Sequence, residues 1–238
     1  MVTRNVTDTP SPVTPLECMN QTSTRTPETP PANNSVPLTP QTARVLQITR
    51  YPNTILQTPT SPVTVITTDL RALGFDMLAT LRASGLVGIA APQVGVNADL
   101  MVVDVARSNR ASRLFLGGRD VPVESVMPLI LFNTEISPHE KIRDLGFEGC
   151  GSVPGVRVQI ERPAATRVTA MNHKGEILQF VCAGLLARVI QHEWDHLRGV
   201  LFMDRMSPET LSSVQPTLDQ LRKSQSVTAA PLSVTPLG

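Results

Sequence analysis

At 238 residues with 41% hydrophobic side chains the chain can build a real core, but aromatics are only 3%, so Val, Leu, Ile, Ala and Met must pack it. A formal net charge of +1 with 17% charged residues gives no electrostatic basis for nucleic-acid specificity or for binding an anionic membrane, although a local patch could still meet a ribosomal surface. No apolar run approaches the roughly 20 residues that span a bilayer, and the start of the chain lacks the apolar stretch of a secretory signal.

Residues 1–42 are rich in Thr, Pro, Ser and Asn and show almost no apolar periodicity, which predicts a disordered extension. Its acids, Asp8, Glu17 and Glu28, argue against an organellar transit peptide, so a cytoplasmic location is expected ahead of an organelle. Residues 43–222 form one folded unit by the size expected of a domain, and residues 223–238 a flexible tail.

Within the folded unit, Arg44–Ile48 is short, rich in β-branched and aliphatic side chains and bounded by Pro52, and predicts a strand or extended segment. From Thr68 to Ala83, Leu70, Leu73, Met77, Thr80 and Leu81 recur at helical spacing, with Thr68-Asp69 as the N-cap and Gly85 as the stop. Leu100–Val105 and Met127–Phe132 read as buried strands, the second leaving at Asn133 and Pro138. Val156–Ile160, Ala165–Met171 and Ile177–Cys182 alternate as strands, the last two joined by the turn Asn172-His173-Lys174-Gly175. A helix over Gly184–His196 follows, with Leu185, Leu186, Val189 and Ile190 inward and Gly199 at its end. Strands before and around one late helix predict an α+β fold, with antiparallel or mixed sheets packed around that helix.

The late helix carries His192-Glu193-Trp194-Asp195-His196. Residues four apart share a helix face, so the two imidazoles can hold one metal, and Glu193 beside them can take a proton from water. The pattern predicts a hydrolase that activates water with a metal. A third ligand is required. The position that a metzincin protease fills with a third His is Phe202, which excludes that class. The chain has only four histidines, and the other two, His139 and His173, fall in a polar loop and a hairpin tip. Three cysteines are too few and too odd for a disulfide framework and fit a reducing compartment. Of these, Cys150 in Glu148-Gly149-Cys150-Gly151-Ser152 has the open, glycine-flanked setting that a thiolate ligand needs. A further segment, Gly88-Ile89-Ala90-Ala91-Pro92-Gln93-Val94-Gly95, lets a peptide backbone approach closely. There Gln93 offers a neutral amide to a developing oxyanion, though a packing turn explains the segment equally well.

In this order, the segments GIAAPQ, EGCGS and QHEWDHL resemble the three signature motifs of the peptide deformylases, over roughly residues 44–206. The resemblance implies removal of the N-formyl group from the initiator methionine of nascent peptides, releasing formate, with N-formylmethionyl peptides as substrate. It implies Cys150, His192 and His196 as ligands of one divalent metal, Fe(II) with Zn(II) or Ni(II) able to substitute. It makes Glu193 the general acid and base, and Gln93 with the backbone N–H of Gly151 the oxyanion donors. Val87, Leu185 and Val189 would form the methionine pocket, Gly88 would offer backbone hydrogen bonds, and Arg157 and Arg162 would lie near the peptide channel. Two positions depart from the family pattern. Leu86 stands where a glycine is usual, and Gly151 stands where a leucine is usual. Glycine adds flexibility to an oxyanion site that needs rigidity. Two rivals are a metallopeptidase or other amidohydrolase with a different third ligand, and a non-catalytic binder of peptide N-termini that would not need Glu193.

Overall fold

The computed structural model describes residues 43–228. Their elements are α1 (Thr68–Ala83), β1 (Gly88–Ala90), β2 (Leu100–Val103), β3 (Ser112–Leu116), β4 (Arg119–Val121), β5 (Leu129–Pro138), β6 (Arg143–Cys150), β7 (Val153–Pro163), β8 (Ala165–Asn172), β9 (Ile177–Gly184), α2 (Leu185–Leu197) and α3 (Pro208–Thr228). The disorder expected for 1–42 lies outside the described residues, as does the chain beyond 228. The helix α3 itself continues past residue 222, where the sequence reading ends the folded unit.

Seven strands form one sheet in the order β1-β2-β5-β8-β9-β3-β4, and β6 pairs with β7 in a separate ribbon. Every pairing is antiparallel. The α+β expectation therefore holds, in its antiparallel rather than its mixed form. The continuous apolar runs of β2 and early β5 have a simple cause: both faces are covered. Met101, Val103, Leu129 and Leu131 pack with Leu186 and Ile190 of α2, while Leu100, Val102, Ile130 and Phe132 pack with Met77 and Leu81 of α1. Side chains alternate across a strand, so one strand feeds two cores only when both sets are apolar. A third cluster joins Val156, Val158 and Ile160 of β7 to Tyr51, Phe202 and Leu218.

The ends of both core helices follow from local chemistry. The N-cap of α1 is Thr67, one residue before the expected pair, and its hydroxyl accepts from the Leu70 N–H at 3.2 Å. At the other end the Leu86 N–H reaches the Leu81 carbonyl at 3.0 Å, and the Gly85 N–H reaches that of Arg82 at 3.3 Å. This is a Schellman closure, and it needs the left-handed backbone of Gly85 at φ 67°. The same closure ends α2, with Gly199 at φ 69° and the Val200 N–H on the Asp195 carbonyl at 2.9 Å.

Several elements differ from expectation. Arg44–Ile48 is irregular rather than a strand, because its backbone donors are met by α1 side chains: the Arg44 N–H bonds Asp76 Oδ1 at 2.7 Å and the Leu46 N–H bonds Thr80 Oγ1 at 2.8 Å. Asn133 does not end β5 but sits at a bulge, at φ 48°, with its amide bonded both ways to the Val63 backbone. The strands β1, β3, β4 and β6 and the helix α3 were not expected. No helix among the described residues is long and apolar enough to cross a membrane.

Candidate active site

Three parts of the fold converge on one cavity. The helix α2 presents His192, Glu193 and His196, the end of β6 presents Cys150, and the turn after β1 presents Gln93. Gly88 lets β1 come this close to α2, since a Cβ there would lie 2.5 Å from both Glu193 Oε1 and Val189 Cγ1. At the start of α2, a Cβ on Gly184 would lie 2.5 Å from the Ala111 carbonyl oxygen, so glycine is also what lets that helix begin where it does.

Ligand-capable atoms of Cys150, His192 and His196 all lie within 4.8 Å of one another, and Cys150 Sγ is 3.2 Å from His196 Nε2. A thiolate and two imidazoles suit a divalent transition metal. The second nitrogen of His192 is already committed, with Nδ1 on Glu148 Oε2 at 2.9 Å, which leaves Nε2 for the cluster. Burial opposes ionisation of the Cys150 thiol, but His196 and His192 outweigh it and hold the thiol well below its ordinary value. The residues present therefore fit such a metal. Glu193 is pushed up to about 7, chiefly by burial, with His192 and His196 opposing. Its Oε2 is buried with no hydrogen-bond partner among the described residues. Gln93 accepts from the Ala90 N–H at 2.8 Å, and its Nε2 sits 3.4 Å from both Cys150 Sγ and Ser152 Oγ.

Behind the cluster is a buried ionic network that the sequence reading missed. Glu148 accepts from Arg162 at 2.9 Å on each oxygen and from Arg188 at 2.9 Å. Although burial works against it, Arg162 and His192 hold its carboxyl down at about 2. Arg162 also bonds Asp195 at 2.6 Å, and Arg205 closes on the same carboxylate at 2.6 Å. Arg188 further bonds the carbonyls of Ile160 at 2.7 Å and Asp144 at 2.8 Å. The expectation that Arg162 lies near a peptide channel is corrected: both of its ends are tied to buried carboxylates, and it does not line the cavity. Signals for the network were present. Glu148 is two residues from Cys150 on one strand face, and Arg188 is four residues before His192 on one helix face.

The cavity is about 370 Å³ and is lined by Val87, Gly88, Gln93, Cys150, Gly151, Arg157, Leu185, Val189, His192 and Glu193, together with Leu86 and Phe147. Every residue that the resemblance assigned to the site except His196 and Arg162 is on its wall, and His196 lies beneath as part of the donor cluster. The Arg157 guanidinium stands 5.3 Å over the Phe147 ring. His139 and His173 lie elsewhere, the first exposed beside Arg167 and the second edge-on to Phe75. A larger depression of about 680 Å³ on the outer sheet face, around Arg113 and Arg167, lacks any such donor cluster, so volume alone would have pointed away from the chemistry.

Comparison with known proteins agrees with this geometry. The family model described as polypeptide deformylase matches residues 45–212. The peptide deformylase of Methylacidiphilum infernorum is 35% identical over 183 residues, 77% of this chain and 96% of its own length. That of Opitutus terrae is 37% identical over 179 residues, 75% of this chain and 93% of its own. Among solved structures, a plant peptide deformylase superposes with a TM-score of 0.67 at 31% identity, covering 78% of this chain and 94% of its own. The peptide deformylase of Legionella pneumophila gives 0.63 at 30% identity, covering 79% and 99%. With the matched residues spanning the cavity and its donor cluster, the chain belongs to the peptide deformylase family, metal-dependent hydrolases that remove the N-formyl group from nascent polypeptides.

Proposed function

We propose that Cys150, His192 and His196 hold one divalent metal, Fe(II) ahead of Zn(II) or Ni(II), and that Glu193 moves the protons of formyl-amide hydrolysis. The observation that carries this reading is the unpartnered Oε2 of buried Glu193 beside the three-donor cluster. A bound divalent ion supplies Lewis acidity and brings the pKa of a coordinated water toward about 7. Glu193, buried beside the three donors with one carboxylate oxygen unpartnered, is placed to accept a proton from the attacking water and return it to the leaving nitrogen. The new C–O bond forms at the formyl carbon, the C–N bond breaks, and formate and a free α-amine result. Gln93 Nε2 and the backbone N–H of Gly151 are the oxyanion donors in this reading. Burial of Gln93, with its Oε1 held by the Ala90 N–H, supports a preorganised donor.

Val87, Leu185 and Val189 supply the apolar surface for the methionine side chain, and Arg157 borders the peptide beyond it. Because β1 is the edge strand of its sheet, Gly88 can pair with an extended peptide backbone. A substrate that emerges from the ribosome makes the ribosome surface the natural meeting place. The free, buried Cys150 and Cys182 suit a reducing, cytoplasmic compartment. A pure binder of N-termini leaves the unpartnered carboxylate oxygen of Glu193 without a purpose. The test is formate release from a formyl-Met peptide by anaerobically purified protein, with Glu193→Ala alongside. Release by the wild type and its loss in the variant are expected. No release by the wild type sinks the assignment.

A further inference from the structure

The two departures from the family pattern meet in space. A Cβ built on Gly151 would lie 3.0 Å from Leu86 Cδ1 and 3.5 Å from Leu86 Cδ2, with Ile48 Cδ1 at 3.7 Å. Gly151 is not among the positive-φ glycines, so its backbone does not demand glycine. What crowds a side chain there is Leu86, whose Cδ1 would have to give way to a Cβ at 151. Both residues line the cavity beside Cys150.

The position of Leu86 is itself determined. It is the residue whose N–H closes the Schellman motif of α1 on the Leu81 carbonyl at 3.0 Å, directly after Gly85. Its side chain is half-buried and leans on the apolar cluster of α1 and β2. The turn that carries Gly151 is held from the other side, where Arg50 donates to the Gly151 carbonyl and the Tyr51 N–H bonds the Ser152 carbonyl at 2.9 Å.

We propose that Leu86 and Gly151 are a reciprocal pair, in which Leu86 supplies the cavity wall that a side chain at 151 would otherwise make, so that Leu86 is a specificity-determining residue. This rests on the reading of the cavity as the formyl-peptide site. The wall comes from a helix cap rather than from the turn holding the ligand cysteine. A side chain at 151 requires Leu86 to give way, and a small residue at 86 removes that requirement.

The test is a double-mutant cycle in the full chain: Gly151→Leu, Leu86→Ala and the two together. Leu86→Ala removes both Cδ atoms while leaving the cap backbone as it is. Each protein is read by melting temperature, by metal content, and by kcat/KM for formyl-Met and formyl-Phe peptides. Gly151→Leu is expected to melt lower and to lose about a hundredfold in kcat/KM, comparable with loss of an oxyanion donor. Adding Leu86→Ala should recover about tenfold of that loss and part of the melting temperature, the non-additivity of residues in contact. Leu86→Ala alone, with its metal retained, should raise kcat/KM for formyl-Phe relative to formyl-Met about tenfold. Additive changes around the cycle, or an unchanged peptide ratio in Leu86→Ala, overturn the proposal. Gly151→Ala, whose Cβ already meets Leu86 at 3.0 Å, replaces Gly151→Leu in the cycle if the leucine variant does not fold. A wild type that releases no formate ends the functional reading instead, and the melting-temperature cycle still decides the pairing.

Discussion

Glu148 ties His192, a proposed metal ligand, to two arginines while remaining 6% exposed, so on that proposal its removal should act on both metal binding and stability. Glu148→Gln keeps the shape but weakens the orientation of His192, and metal affinity should fall about 10–100-fold, measured by competition with a chelator. Glu148→Ala leaves Arg162 and Arg188 short of a buried partner and should cost about 3–5 kcal/mol in urea unfolding. Gly88 makes a different kind of contribution. Its missing Cβ leaves room for Glu193, so Gly88→Ala should lower kcat by about 10²–10⁴ with the metal content unchanged, as expected when the proposed general base is displaced. Full activity in that variant would mean that Glu193 can move aside without loss. Cys182 offers a contrast to Cys150. Burial alone pushes its thiol up to about 12, so near pH 8 it is almost wholly protonated in the folded chain. Iodoacetamide at that pH should label Cys182 only after unfolding, read by peptide mass spectrometry, and labelling of the native protein would contradict this.

At the scale of elements, local rules account for the helices better than for the strands. The cap of α1 is a hydroxyl-to-backbone bond, and Thr67→Ala should cost about 1 kcal/mol, read from the urea midpoint. Helical periodicity was legible because α1 and α2 each bury a face through contacts three and four residues apart. The strand β6 was not legible, because its sequence serves its surroundings. A Cβ at Gly146 would lie 2.8 Å from the Arg188 guanidinium, and one at Gly149 would lie 3.1 Å from the Val156 carbonyl. Glycines fitted to close neighbours elsewhere in the fold lower strand propensity, and the ladder with β7 restores the strand. The hairpin of β3 and β4 did carry a signal, since Gly117-Gly118 is a two-residue loop between paired strands. The helix α3 was harder to foresee, with Pro216 inside it and, among the residues whose side chains are described, Leu218 alone buried against the rest.

For the whole molecule, the family match begins at residue 45, and relatives that cover 96% and 93% of their own lengths span 77% and 75% of this chain. Residues 1–42 are accordingly proposed to be dispensable. Deleting them should leave formate release and melting temperature unchanged, and loss of either would show that the extension contributes to the fold or the site. The sequence by itself determined what is local or chemically distinctive: the His192–His196 pair with Glu193 on one helical turn, the two glycine-stopped helices, the apolar strands, and the scarcity of histidine that left Cys150 as the candidate third ligand. Spacing along one helix fixes which side chains share a face, so no tertiary information was needed for these. Only the tertiary structure decided which distant residues share a volume or a charge. It turned Arg162 away from the cavity and onto Glu148 and Asp195, gathered Arg188 and Glu148 behind His192, and set Leu86 in the space that Gly151 leaves empty. Such contacts join residues tens of positions apart, and their cost or benefit depends on burial and distance, which no period in the chain records.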